Sequence, residues 1–278
     1  MSLVRLAAFG DEIAKDLVEQ IDHLESLSIR RIEVRGVWGK NVLDLDDTEV
    51  AKLEQTCRDR GFSIPVIGSP IGKISIKADF GVHLDRFERA VLLARRFDAM
   101  IRVFSFYIPE GEDPADHRSE VIHRMRELTA RARAADVKLV HENESGIYGD
   151  SPERCRDLID TVGSPYLRAC FDPANFIVEG YRPWPDAWDV LSDVVEHFHV
   201  KDARLSDRTI WPAGEGDADY PALMGALKSK GYDGLLTLEP HLSAAGRMSG
   251  FSGPDLFTEA THALRAVMSA ASLEEAVD

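Results

Sequence analysis

The 278-residue chain is 44% hydrophobic and 29% charged, the balance of a globular protein with ample material for a core, and no apolar run approaches the roughly 18 residues that a membrane span needs. A formal charge of -15 and a pI near 5.0 disfavour nucleic acid and anionic membranes as partners, because both demand clustered Lys and Arg. Cys57, Cys155 and Cys170 are odd in number and lack C-x-x-C spacing, which argues against a disulfide framework and a zinc ribbon.

Short β-rich runs alternate with longer amphipathic segments along the whole chain, the pattern of repeated βα units. Leu3 to Phe9 precedes a helix at Leu17–Ser26, Arg31–Arg35 one at Asp46–Arg60, and Phe62–Ile67 one at His83–Asp98. Met100–Phe106 precedes Ser119–Ala135, Val137–Glu142 precedes Ser151–Val162, and Leu167–Asp172 precedes a shorter helix near Pro185–Leu191. Val194–Lys201 then precedes Tyr220–Lys230, and Gly234–Glu239 precedes Pro254–Ala271. Caps support these boundaries: Ser151 stands before Pro152, Asp186 follows Pro185, and Gly61 and Gly231 stand where helices should stop. Eight pairs predict an α/β protein, a closed (β/α)8 TIM barrel forming a single domain over residues 1–271, with an acidic, frayed tail over 272–278. Met1 to Phe9 is too short for a signal peptide before Gly10-Asp11-Glu12 interrupts it, so a cytoplasmic protein is expected.

A doubly wound open sheet would alternate strands and helices in the same way, but it should carry a glycine-rich loop after its first strand. Here that strand runs into Phe9-Gly10-Asp11-Glu12, with no G-x-G-x-x-G. Gly68-Ser69-Pro70-Ile71-Gly72-Lys73 has one residue too few between its glycines for a phosphate loop, and Ile74 stands where Ser or Thr is required.

Barrel enzymes place their chemistry at the C-terminal strand ends. Strands five to eight end in Glu142, Asp172, His199 and Glu239, each about one βα repeat after the last. Three carboxylates and an imidazole converging in one cleft repel each other and are desolvated together. One divalent metal ion resolves the conflict; a set of oxygen ligands with one histidine suits Mn²⁺ or Mg²⁺ first, then Co²⁺ or Zn²⁺. In the seventh strand His197, His199 and Lys201 share one face, while Phe198 and Val200 share the other.

These residues resemble the xylose-isomerase-like (β/α)8 barrels, which include sugar epimerases, hydroxypyruvate isomerase and inosose dehydratase. The resemblance is carried by the Glu142 strand end, Phe171-Asp172-Pro173-Ala174-Asn175, His197-Phe198-His199-Val200-Lys201-Asp202, Pro212-Ala213-Gly214-Glu215-Gly216 and Leu238-Glu239. It implies that Glu142, Asp172, His199 and Glu239 hold the metal, and that the second histidine of the H-x-H pair is the ligand. It also implies a homodimer or homotetramer acting on a small-molecule carbohydrate. Such a metal would stabilise the enediolate left when a proton is removed beside a carbonyl, with Glu142 and Glu239 as the catalytic acid-base candidates. Many epimerases of the family carry histidine three residues after the strand-six aspartate; here the position is Asn175, which cannot exchange a proton.

The expected activity is therefore a metal-dependent sugar or sugar-phosphate isomerase or epimerase, the alternative being a dehydratase of a keto-polyol such as an inosose. The DNA-repair endonucleases of this fold carry additional zinc-binding histidines that are missing here, and a non-catalytic binding barrel leaves the complete ligand set without purpose. Substrate contacts are expected from Asn175, Lys201, Lys73 and His197, the last also suited to a place behind the ligands. Glu33 and Arg35 are expected to pair with each other or touch a sugar, and Trp38 and Trp211 to cover the pocket.

Overall fold

The eight β-rich runs become eight parallel strands in the computed structural model, which describes residues 3–242 and 251–276. They are β1 (Leu3–Ala8), β2 (Arg31–Val34), β3 (Ser63–Ile67), β4 (Met100–Val103), β5 (Leu139–Glu142), β6 (Leu167–Phe171), β7 (Val195–Val200) and β8 (Leu235–Leu238). Each pairs with its neighbour in sequence, and β8 returns to β1 with Leu235 opposite Arg5 and Leu238 opposite Ala8. Closure of the ring turns the run into a single-domain TIM barrel whose strands all have two neighbours.

The helices on its outside are α1 (Leu17–Ser26), α2 (Asp47–Asp59), α3 (Phe80–Phe97), α4 (Pro114–Ala134), α5 (Pro152–Val162), α6 (Pro173–Val178), α7 (Trp188–Leu191), α8 (Tyr220–Lys230) and α9 (Gly253–Ala270). Asp16, Asp46, Asp79, Asp113, Ser151, Asp172 and Asp219 cap seven of them by accepting first-turn backbone N–H groups. Asp113 with Pro114 starts α4 five residues before the expected Ser119, since proline fits the first helical turn. The six-residue α6, which period alone does not reveal, is started in the same way by Asp172 and Pro173.

Outward-facing strand residues pack on these helices. Phe171 of β6 stacks on Phe198 of β7 with centroids 5.5 Å apart and meets Trp188 of α7 edge-on at 5.6 Å; burying each such ring contributes about 2–3 kcal/mol. Inside the barrel Ala7, Val66 and Leu235 form a small apolar cluster, with Met100 against it. Above that plug the interior is polar, which is where the inward faces of β5 to β8 end.

Among the described residues no helix is long and apolar enough to cross a membrane. The C-terminal segment departs from the frayed tail expected: Glu274 and Glu275 add in parallel to Leu3 and Val4, and Leu273 is buried. Ala276 N donates to Val4 O at 2.8 Å and Arg265 pairs with Glu275 at 2.8 Å, so the acidic residues are docked as well.

The loops after β3, β4 and β5 are tied into one wall. Tyr107 N donates to Ile74 O at 2.8 Å, Ile76 N to Tyr107 O at 2.9 Å, and Ile108 N to Gly146 O at 2.9 Å. Gly72 lets the β3 loop approach this wall: its φ is +92°, and a Cβ there would lie 1.9 Å from Phe104 O. Gly72→Ala should therefore lower the urea-unfolding free energy by roughly 2–4 kcal/mol, since the obstruction is backbone and the conformation left-handed. An unchanged unfolding midpoint would show that the wall yields.

Candidate metal centre at the mouth of the barrel

Alternation along parallel strands aims every second side chain into the barrel, and at four consecutive strand ends that residue is Glu142, Asp172, His199 or Glu239. Each is almost fully buried, and one ligand-type atom from each lies within 4.8 Å of the others. One atom of every member has no hydrogen-bond partner: Glu142 Oε2, Asp172 Oδ2, His199 Nδ1 and Glu239 Oε2. Cations stand beside three of them, Arg102 Nη1 3.2 Å from Glu142 Oε2, and Lys201 Nζ 2.9 Å from Asp172 Oδ2 and 3.6 Å from Glu239 Oε2. Buried polar atoms seldom lack a hydrogen bond, and four such residues brought this close together fit a divalent cation with oxygen ligands and one imidazole.

The remaining atoms of the four residues are held. Asp172 Oδ1 accepts the Asn175 N–H at 2.9 Å as the cap of α6, which leaves Oδ2 for the cluster. The Asn143 side chain pairs with the Asp172 backbone in both directions, accepting its N–H at 3.0 Å and donating to its carbonyl at 2.9 Å. Glu142 Oε1 accepts from Asn175 Nδ2 at 3.2 Å, and Glu239 Oε1 lies 2.8 Å from Arg35 Nη1 and 3.3 Å from His241 Nε2. On the far side of His199, Nε2 lies 3.2 Å from Glu33 Oε2. The Phe9 ring packs edge-on against His199 at 5.2 Å and lies beneath the guanidinium groups of Arg35 and Arg102.

The turn after β7 is equally fixed. The Lys201 N–H donates to Tyr220 Oη at 2.9 Å. Asp202 accepts four backbone N–H groups, from Ala203, Gly214, Gly216 and Ala218, so the Pro212–Gly216 motif is a loop wrapped around a buried carboxylate. Gly216 permits this, since a Cβ would lie 2.3 Å from Asp202 Oδ1.

Charge is distributed unevenly across the cluster. Burial raises the Asp172 carboxyl, the Lys201 ammonium opposes it, and Glu142 and Glu239 add to the rise, leaving it at about 6. Burial also works against ionised Glu142, but His199 and Arg102 outweigh it and hold that carboxyl down at about 2. Glu239, with Lys201 and His241 prevailing over burial, lies well below the usual range. Burial disfavours the His199 cation, yet Cys170, Glu142 and Glu33 raise its affinity for a proton far above the ordinary imidazole.

The other expected site residues divide into rim and support. Lys73 reaches the mouth, 2.8 Å from Glu144 and above the Phe104 ring. Lys201 lies in the cluster, also 3.6 Å from Glu239 Oε2. Asn175 is nearly buried and donates to Glu142 and to Asn143 O at 2.9 Å, so its amide orients a carboxylate. Of the two places expected for His197, a substrate contact or a position behind the ligands, it takes the second: it is fully buried, 2.7 Å from Glu33 Oε2. Glu33 and Arg35 do not pair with each other. Arg35, one inward position higher, reaches Asp11, Glu12 and Glu239, while Glu33 faces the histidines. Trp38 lies beneath Lys52 of α2, and Trp211 beneath Arg204. Sequence reasoning missed Arg102, Glu12, Asn143 and His241; only Arg102 had a usable signal, its inward place in β4.

A model of the xylose isomerase-like TIM barrel family matches residues 21–267. A D-psicose 3-epimerase from Enterocloster bolteae is 24% identical over 139 residues, a match covering 49% of this chain and 44% of that protein. A D-tagatose 3-epimerase-like protein superposes with a TM-score of 0.78 at 16% identity, covering 97% of this chain and 98% of the other. A xylose isomerase-like TIM barrel protein from Mycobacterium smegmatis in complex with magnesium superposes with a TM-score of 0.72 at 17% identity, covering 97% and 98%.

A pH signature follows from the cluster. His199, raised when folded, stabilises the metal-free protein fully below about pH 6.5 and loses that contribution as pH rises towards its folded value; the raised His241 acts in the same sense. His83 and His141, both lowered to about 4, and the lowered His23 act in the opposite sense, but most of their unfolded-state titration lies below pH 7, so the falling contribution prevails. The thermal midpoint of chelator-treated protein should therefore fall by a few degrees from pH 7 to pH 9, and His199→Gln should flatten that slope. A wild-type midpoint that is constant or rising over the interval would reject the charge assignment.

Proposed function

The chain belongs to the xylose isomerase-like TIM barrel family, and on that premise we propose that it is a divalent-metal-dependent isomerase or epimerase of a sugar or sugar phosphate. The carrying observation is the convergence of Glu142, Asp172, His199 and Glu239, each with one buried atom left without a hydrogen bond. These four would hold the ion, Mn²⁺ or Mg²⁺ in the first instance. When bound, it would supply Lewis-acid polarisation of a carbonyl, which would favour loss of the proton on the adjacent carbon.

The protein's residues do the rest. Glu142 and Glu239 stand three strands apart around the rim, each 3.3 Å from His199 Nδ1 through one oxygen. In this reading one removes the proton beside the carbonyl and the other returns a proton to the opposite face of the enediolate, giving epimerisation. If one carboxylate instead carries the proton between adjacent carbons, the outcome is aldose-ketose isomerisation. Lys201 offers an ammonium to a developing oxyanion beside Asp172. Lys73, with 32% of its side chain exposed, is placed to grip a distal hydroxyl or phosphate.

Support for the sugar assignment comes from the relatives, which are named as 3-epimerases of psicose and tagatose type. A dehydratase would use the same first proton abstraction and then expel a β-hydroxyl, so product analysis separates the two.

With Mn²⁺ present, incubation in D₂O with a panel of ketoses, inososes and their phosphates should place deuterium on the carbon beside the carbonyl of at least one of them. Glu239→Gln should slow that exchange by about 10²–10⁴-fold while retaining the thermal midpoint to within a few degrees. Tight ion binding with no exchange on any member would overturn the enolisation reading.

A further inference from the structure

Beneath the cluster lies a buried carboxylate for which the proposed chemistry has no direct use. Glu33, on the inward face of β2, is fully buried, and its hydrogen bonds go to two imidazoles. Oε2 lies 2.7 Å from His197 Nε2 and 3.2 Å from His199 Nε2, and Oε1 lies 3.3 Å from His199 Nε2. The two rings stand nearly perpendicular, at 85°, so that both direct the same nitrogen at one carboxylate. Neither Nδ1 has a hydrogen-bond partner, which marks the Nε2 side as the held side of each ring.

A plug for the fold would have been apolar at this depth, as Ala7, Val66 and Leu235 are. Burying a charge there is costly unless it is paired. The arrangement has a directional consequence: a carboxylate accepts only, so a neutral imidazole on Glu33 keeps its proton on Nε2 and leaves Nδ1, on the side of Glu142, Asp172 and Glu239, as the nitrogen that an ion would take.

We propose that Glu33 is a positioning residue that fixes His199 as the Nε2–H tautomer with Nδ1 directed into the metal cluster, and that His197 braces Glu33 for this task. The inference rests on the metal-dependent reading of the site and adds to it the residue that makes His199 competent. His197, Glu33 and His199 then act in series, none but the last meeting the ion.

The test uses the full-length chain and two readouts. Calorimetric titration of Mn²⁺ into wild type and Glu33→Gln should show affinity lower by about 10–100-fold in the variant, and Glu33→Asp should recover part of the loss. Long-range ¹H–¹⁵N spectra of histidine-labelled wild type loaded with diamagnetic Zn²⁺ should show His199 protonated on Nε2. This second measurement needs no variant, so it decides even if Glu33→Gln fails to fold. Wild type that binds no divalent ion overturns the metal-dependent reading, and this proposal with it. Wild type that binds normally, with His199 protonated on Nδ1 or with Glu33→Gln binding equally well, overturns the positioning role alone.

Discussion

The upper barrel is governed by one constraint, the burial of several carboxylates within a few ångströms of each other. Glu142, Asp172 and Glu239 are each at most 3% exposed, and like charges so placed cannot all ionise without compensation. Around them stand Arg35, Arg102, Lys201 and His199, within 2.8 to 3.7 Å of one or another carboxylate oxygen. The compensation is partial. It lowers Glu142 and Glu239, whereas Asp172 is left at about 6.

That constraint also explains the layering of the barrel. A small apolar plug suffices below, because outward-facing aromatic residues such as Phe171 and Phe198 bury their surface against helices. Polar groups above need partners, and the closed ring of strands brings them from far apart in sequence. Glu12, beyond β1, meets His241, beyond β8, at 3.0 Å. The helix caps take part as well: Asp172 starts α6 with one oxygen and keeps the other for the cluster. Asn143 and Asn175 fill remaining gaps with amides, which add hydrogen bonds without adding charge.

How much of this was legible in the sequence depended on the range of the interaction. The strands, the longer helices and the four strand-end residues follow from local period and from the repeat length of βα units, and the element boundaries all lie within five residues of their expected places. The pairings across the ring do not. Glu33 and Arg35 stand two apart on one face, so mutual pairing was the natural local reading; in the barrel they occupy successive heights and find different partners, imidazoles below and carboxylates above. His197 is the same case, since alternation gives its face but not its depth. The docking of the last residues likewise depends on the other end of the chain, where Leu3 and Val4 pair with Glu274 and Glu275.

Asparagine at position 175, where the family resemblance leads one to expect histidine, has a physical reading in this setting. Asn175 Nδ2 lies 3.2 Å from Glu142 Oε1 and 2.9 Å from Asn143 O, so both amide protons are engaged in holding one carboxylate and one backbone carbonyl. An imidazole there would bring another titratable group to Glu142, whereas the amide supports its geometry and leaves its charge unchanged. Under the proposed reaction, proton transfer at carbon then falls to Glu142 and Glu239, and substrate oxygens must find their donors elsewhere. Lys201 within the cluster and Lys73 on the rim, the latter held by Glu144 against the tied loops after β3, β4 and β5, are the cations in place to supply them. Recognition in this chain would on that reading depend on charge rather than on imidazole chemistry at position 175.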